Sequence, residues 1–287
     1  MSSFEAAIVV GVDGSEQSLR AVDWAAAEAA ATGSALTICH VTPLGPHVDP
    51  RLRPVYEDVL AHGHRVTADA VERVEAAWPE VTVKPVLASG SAAGTLVSTA
   101  APARLLVVGG RGVGAFRGLL LGSVSAQVAA HATGPVVVVH GGPGGVPAGA
   151  PIVVGVDDSG SEPALAFAFE FAARQQHPLL VVHASRLPGA DMWVDPALGS
   201  PSRSYHRAAQ ELLDAQVRPW TEKYPEVPAE TLVLNARPAP ALIERSAYAA
   251  LVVVGSHGHG GFTGLLLGSV SQHVLRHAGC PVAVVRH

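Results

Sequence analysis

Two doubly wound α/β domains in tandem are the fold this sequence predicts, and three observations carry the prediction. Short, unbroken apolar runs alternate with longer segments of helical composition, the pattern of parallel strands covered by helices on both faces. The pattern occurs twice. Ile8-Val9-Val10-Gly11-Val12-Asp13-Gly14-Ser15 returns as Ile152-Val153-Val154-Gly155-Val156-Asp157-Asp158-Ser159 at an offset of 144, and Phe116-Arg117-Gly118-Leu119-Leu120-Leu121-Gly122-Ser123-Val124-Ser125 returns as Phe262-Thr263-Gly264-Leu265-Leu266-Leu267-Gly268-Ser269-Val270-Ser271 at 146. Between the copies, residues 141–150 are rich in Gly and Pro without large side chains and read as a linker. The predicted division is therefore domain 1 at 1–140, linker at 141–150 and domain 2 at 151–287.

In the first copy the runs near 6–12, 35–41, 81–87, 104–109 and 135–140 read as strands. Their counterparts lie near 151–156, 178–184, 229–235, 250–255 and 281–286. Leu105-Leu106-Val107-Val108 and Leu251-Val252-Val253-Val254 are apolar throughout rather than alternating, as strands buried on both faces must be. Leu19 to Ala31, Val59 to Ala77 and Ala208 to Tyr224 have helix composition, and Ser161 with Pro163 marks a helix start.

Composition narrows the function. Apolar residues make up 48% and charged residues 15%, with a mean hydropathy of +0.31, which excludes intrinsic disorder. No apolar run reaches the roughly 18 residues of a spanning helix. Met1-Ser2-Ser3-Phe4-Glu5 lacks the basic-then-apolar layout of a secretion signal, so a cytoplasmic protein is expected. Nineteen basic against 24 acidic residues give a net charge of −5, Lys84 and Lys223 are the only lysines, and there is no basic run. Neither nucleic acid nor an anionic membrane suits such a surface, and no lysine stands beside a glycine cluster as a Walker loop requires. Cys39 and Cys280 adjoin apolar runs and read as buried, reduced thiols.

Ligands of open parallel sheets bind beyond the carboxyl ends of the strands, at the point where the strand order reverses. After the fourth strand of each copy comes Gly-x2-Gly-x9-Gly-Ser, as Gly109, Gly112, Gly122 and Ser123 and as Gly255, Gly258, Gly268 and Ser269. Glycines let backbone amides crowd toward one anion, and the Gly-Ser-Val-Ser step opens a helix whose free amides favour negative charge. The hydroxyls of Ser123, Ser125, Ser269 and Ser271 can add donors. The same residues also suit a plain turn and helix cap, a reading that the repetition of the spacing makes the weaker one. Asp13 and Asp157 close the first strands, placed either to accept from a ribose hydroxyl or to build an Asx turn. At the ends of the second strands, Val41 and Ala184 can present backbone groups to a purine. His273 and His277 read as a surface pair rather than a metal site, since no third ligand stands at ligand spacing. His257 and His259 flank Gly258, where the first copy carries Arg111 and Val113. Residues 43–54 and 186–203 read as long loops. Neither a Gly-x-Ser-x-Gly elbow nor a His-Glu-x-x-His helix occurs, so no catalytic residue and no metal ligand is nominated.

On these motifs the chain resembles the tandem universal stress proteins of the actinobacterial type, over almost its whole length and in both copies. The resemblance implies a five-stranded parallel sheet of order 3-2-1-4-5 in each domain, pairing of domains through their fifth strands, and ATP, with or without Mg²⁺, held by the glycine motif. Carried over by position, Asp13 and Asp157 take the ribose side and Val41 and Ala184 the adenine. Gly109, Gly112, Gly122, Ser123 and Ser125 form one phosphate loop, and Gly255, Gly258, Gly268, Ser269 and Ser271 the other. Arg104 and Ala250 depart from the acid that many members carry before the fourth strand, and Asp158 replaces the glycine found at Gly14. The runs Val136 to Val139 and Val282 to Val285 would expose apolar edges if unpaired, which favours pairing of the two domains within the chain. A homodimer of such chains is expected as well. The implied function is a nucleotide-dependent regulator of the stress response with two sites and little or no turnover. The alternatives are a slow ATPase and a nucleotide-free dimerisation scaffold.

Overall fold

The computed structural model describes residues 7–43, 49–112, 121–140, 149–157, 161–186, 201–257 and 267–286. The chain divides between Gly141 and Gly142 into two compact units. Unit 1 runs β1 (Ile8–Gly11), α1 (Glu16–Thr32), β2 (Leu36–Thr42), a short 3-10 turn and α2 (Arg53–Ala77), β3 (Val83–Ser89), α3 (Ala92–Ala100), β4 (Leu105–Gly109), α4 (Ser123–His131) and β5 (Val136–Val139). Its strands pair in parallel in the order β3-β2-β1-β4-β5. Ile8 is in register with Leu36 on one side and Leu105 on the other. Those three side chains and Val9, Val10 and Val107 are buried, which is why these runs carry no polar alternation.

Helices cover both faces: α1 packs with α2 on one side of the sheet and α3 with α4 on the other. Local chemistry fixes their ends. Ser15 caps α1, its hydroxyl accepting from Ser18 N–H at 3.1 Å, and Gly33 closes it in the left-handed region at φ 63°. The buried face of α1 is Ala21, Val22, Ala25, Ala26 and Ala29, small enough to lie close on the sheet. Helix α2 starts at Arg53, six residues before the sequence pattern predicts, because Pro54 preforms its first turn. A Cβ on Gly63 would fall 2.7 Å from Leu87 and 3.0 Å from His40, so glycine is what lets α2 lie against β2 and β3.

Unit 2 repeats the plan with β6 (Ile152–Val156), α5 (Glu162–Gln175), β7 (Leu179–Ala184), α6 (Pro201–Lys223), β8 (Ala229–Leu234), α7 (Pro238–Ser246), β9 (Leu251–Gly255), α8 (Ser269–His277) and β10 (Val282–Val285). Its strand order is β8-β7-β6-β9-β10, again parallel. Helix α6 runs on through Pro219, whose interior cost is about 3 kcal/mol. Aromatic packing on α5 offsets it: the buried Phe169 stacks with Trp220 at 6.1 Å and with Tyr224 at 6.0 Å. Among the described residues, no helix is long and apolar enough to cross a membrane.

Candidate functional site

The chain leaves β1 toward β2 on one side and returns to β4 on the other, so the carboxyl ends of β1 and β4 flank the switch point of unit 1. Three side-chain contacts shape the turn after β1. Asp13 N–H donates to Ser18 Oγ at 3.3 Å, Ser15 N–H donates to Asp13 Oδ1 at 3.0 Å, and Ser18 Oγ donates to Ser15 O at 2.9 Å. The other carboxylate oxygen faces the glycine loop: a Cβ on Gly112 would fall 2.2 Å from Asp13 Oδ2. Two residues separated by most of the domain's length, Asp13 and Gly112, thus share one crevice.

The loop's remaining residues divide into those that build it and those left open. A Cβ on Gly109 would lie 2.9 Å from Gln17 C and O and 3.0 Å from Ser18 N, so Gly109 exists to seat the first turn of α1 on the end of β4. Gly122 N–H donates to Gly110 O at 2.7 Å, and Ser125 Oγ donates to Gly109 O at 2.6 Å. Ser125 is buried and its proton is committed to that carbonyl, so it staples the loop, while Ser123 stands exposed. Gly122 caps α4 in extended conformation, φ −73° and ψ 154°, with no side-chain cap bond. The first-turn amides of α4 therefore face outward with the positive end of the helix dipole. The nearby side-chain oxygen Gln17 Oε1 is buried without a hydrogen-bond partner.

Unit 2 reproduces the staple. Ser271 Oγ donates to Gly255 O at 2.6 Å and Gly268 N–H to Ser256 O at 2.7 Å, and Gly268 opens α8 at φ −67°, ψ 156°, again without a side-chain cap. Ser269 is exposed beside it, and Gly258 lies outside the described residues, as do His259 and Asp158. The β6 turn differs. Asp157 N–H donates to Ser161 Oγ at 2.9 Å, and that hydroxyl donates to Asp157 Oδ1 at 3.0 Å, so Ser161 combines roles divided between Ser15 and Ser18 in unit 1.

Val41, next to last in β2, and Ala184, last in β7, pair with Ala88 and Leu234, on the strands that adjoin β1 and β6. His40, just before Val41, binds Val12 O through Nδ1 at 2.8 Å and ties the two strand ends together. Arg104 and Ala250 sit at the opposite, amino end of the sheets, where their N–H groups donate to Ala7 O and Pro151 O at 2.9 Å. Burial pushes the Cys39 thiol up to about 11 and Cys280 to about 12, so neither is a thiolate nucleophile at neutral pH. His273 and His277 stack at 6.4 Å on α8, and among the described residues no three potential metal ligands gather.

Sequence reasoning passes over one pair of positions beside the loop, His140 and Arg286, the residues following β5 and β10. Gly110 N–H donates to Val139 O and Ser256 N–H to Val285 O, both at 2.8 Å, which sets each next to the start of its loop. His140 Nδ1 lies 3.0 Å from where a Gly110 Cβ would be, and its Nε2 is buried without a hydrogen-bond partner. Burial, then the charge of Arg111, pushes this imidazole down to about 4. Burial likewise lowers the pKa of Arg286. The available signal was the repeat itself, since 140 and 286 are separated by the same 146 residues as the two loops.

The chain matches the Universal stress protein family twice, over residues 6–140 and 150–286. A universal stress protein of Mycolicibacterium smegmatis is 37% identical over 301 residues, covering 99% of this chain and 98% of the relative. One from Mycobacterium tuberculosis is 38% identical over 290 residues, covering 97% and 96%. The crystal structure of a universal stress protein from Archaeoglobus fulgidus superposes with a TM-score of 0.72 at 19% identity, covering 98% of each chain, a likeness that speaks for the fold. With two family matches that together span nearly all its length, the chain belongs to the universal stress protein family as a tandem-domain member.

Proposed function

We propose that the chain is a cytoplasmic, ATP-binding regulator of the stress response, with one nucleotide site at the carboxyl edge of each sheet and little or no turnover. The observation that carries the reading is the meeting of Asp13 with Gly112, 2.2 Å from carboxylate oxygen to a would-be Cβ, beside the uncapped amino end of α4. An acceptor suited to a ribose hydroxyl and donors suited to phosphates then share one crevice. Asp13 and Asp157 take the ribose. Backbone at Val41 and Ala184 takes the adenine. Gly109, Gly112, Gly122 and Ser123 line the first phosphate loop, with Ser125 as its staple; Gly255, Gly258, Gly268, Ser269 and Ser271 line the second. Mg²⁺, where it accompanies the phosphates, would draw on the carboxylates of the same two aspartates. The absence of lysine from both loops supports binding over phosphoryl transfer. Two copies associating through sheet edges complete the proposal, and sedimentation at several concentrations tests that step.

Denaturing freshly purified protein and chromatographing what it releases tests the nucleotide reading. About two adenine nucleotides per chain, mostly ATP, is the expected outcome. Mostly ADP favours a slow ATPase, and a protein that is empty and takes up no added ATP overturns the assignment.

A further inference from the structure

Resting on that nucleotide reading, we propose that the residue following the last strand of each unit, His140 in unit 1 and Arg286 in unit 2, sets how strongly its site prefers a polyphosphate over a monophosphate. The two sites of one chain are then unequal.

The positions are equivalent by backbone geometry. Each follows a strand whose last carbonyl, Val139 O or Val285 O, accepts at 2.8 Å from the first loop residue, Gly110 or Ser256. That residue's own carbonyl accepts at 2.7 Å from the glycine capping α4 or α8. Two hydrogen bonds thus link the strand end to the helix terminus assigned to phosphate.

At these equivalent positions the side chains are exchanged. Unit 1 reads Gly110-Arg111 on the loop and His140 on the strand, whereas unit 2 reads Ser256-His257 on the loop and Arg286 on the strand. The exchange has a steric side: a Cβ at 110 would crowd the His140 ring at 3.0 Å, a tight contact that glycine avoids. Where the strand carries arginine, with its flexible unbranched stem, the loop carries a side chain, Ser256, whose hydroxyl lies 3.1 Å from His257 Nδ1. At this pair of positions each unit therefore places one guanidinium and one imidazole, in opposite order. Arg111 is exposed, where salt screens it, while Arg286 is half-buried and screened less. A guanidinium is always charged and grips phosphate with two parallel bonds. A neutral imidazole offers one bond and no fixed charge. The buried, unpartnered Nε2 of His140 is the atom that a ligand oxygen would satisfy.

Charge and pH follow together. Burial and Arg111 hold His140 neutral down to about pH 4 in the empty protein. An arriving phosphate favours the imidazolium, so binding takes up a proton and unit 1 tightens on polyphosphate as pH falls. Among the described residues, the charge acting on that imidazole is Arg111 on the loop, with Asp13 across Gly112; the one titratable residue of α4, His131, is at its far end. Unit 2 carries its imidazole, His257, on the loop, so total binding mixes both sites and only exchange variants separate them.

The test is a two-site calorimetric titration with AMP and with ATP, at about pH 7.5 and about pH 5.5. It uses the wild type, Gly110→Ser with His140→Arg, Ser256→Gly with Arg286→His, and the single variant His140→Gln, which keeps an N–H donor but cannot take a charge. Each variant's fold is checked by its melting curve. The wild type is expected to show two classes of site whose ATP-to-AMP affinity ratios differ about tenfold. The first exchange raises the lower ratio about tenfold, the second lowers the higher one about tenfold, and His140→Gln reduces the pH dependence of the weaker class to that of the nucleotide's own phosphate. Variants that fold and bind ATP and AMP within about twofold of wild type at both pH values overturn the proposal and leave the nucleotide reading standing. A wild type that binds neither nucleotide overturns both.

Discussion

Units 1 and 2 arose from one pattern, and their internal comparison separates what the fold needs from what a ligand meets. The staples agree to a tenth of an ångström: Ser125 and Ser271 each donate at 2.6 Å to the last carbonyl of the fourth strand, and Gly122 and Gly268 each donate at 2.7 Å to the next one. The crevice-facing groups do not agree. The hydroxyl that accepts from the aspartate's own amide comes from Ser18 in unit 1, five residues on, and from Ser161 in unit 2, four residues on, and histidine and arginine exchange places between loop and strand. The helix pairs are fastened differently too. Asp23 of α1 takes a two-pronged bond from Arg73 of α2 at 2.5 and 2.7 Å, whereas Phe169 of α5 stacks on Trp220 of α6 and on Tyr224 just beyond its end. Hydrogen bonds that hold a loop in shape recur with the same geometry, while a helix–helix contact is met by charge in one unit and by buried stacking in the other.

The largest expected effect breaks the comparison at the helix pairs. Phe169→Ala empties a fully buried site and should cost about 3 to 5 kcal/mol, whereas Arg73→Ala removes a partly exposed ion pair worth about 1 kcal/mol or less. Denaturant unfolding of both variants checks it, and equal losses would contradict the contrast. His140 gives the next effect. Its folded pKa lies below the ordinary value of 6.5, so between about pH 6.5 and about pH 4 the unfolded chain binds the extra proton and stability falls as pH falls. The loss reaches at most about 3 kcal/mol at the acid end, and His140→Gln should flatten that limb of a melting-temperature profile. The smaller prediction sharpens the similarity: Ser125→Ala and Ser271→Ala each strand a carbonyl and should cost about 1 kcal/mol, equally in both units. Unfolding midpoints that differ between the two variants would mean the staples are not equivalent.

Much of this molecule was legible in its residues, for physical reasons. Strands buried on both faces have no freedom to carry polar residues, so Leu105 to Val108 announces itself. The duplication doubled the weight of every motif. The glycine loop was legible as a spacing, but not the division of labour within it. That Gly109 seats α1, that Gly112 makes room for Asp13 and that Ser125 spends its proton on Gly109 are facts of residues distant in sequence and adjacent in space. The nine-residue helices α3 and α7 lie in stretches too short to show a period. His140 escaped notice because its meaning comes from Gly110, 30 positions earlier.

The central claim is that each unit holds one nucleotide through the crevice where the aspartate meets the glycine loop. It is tested most directly by equilibrium dialysis of ATP against the wild type and Gly112→Val, whose side chain must displace the Asp13 carboxylate. The account predicts about two ATP per wild-type chain and about one for a variant whose melting curve still shows a folded protein. Undiminished binding by the variant, or none by the wild type, would contradict it.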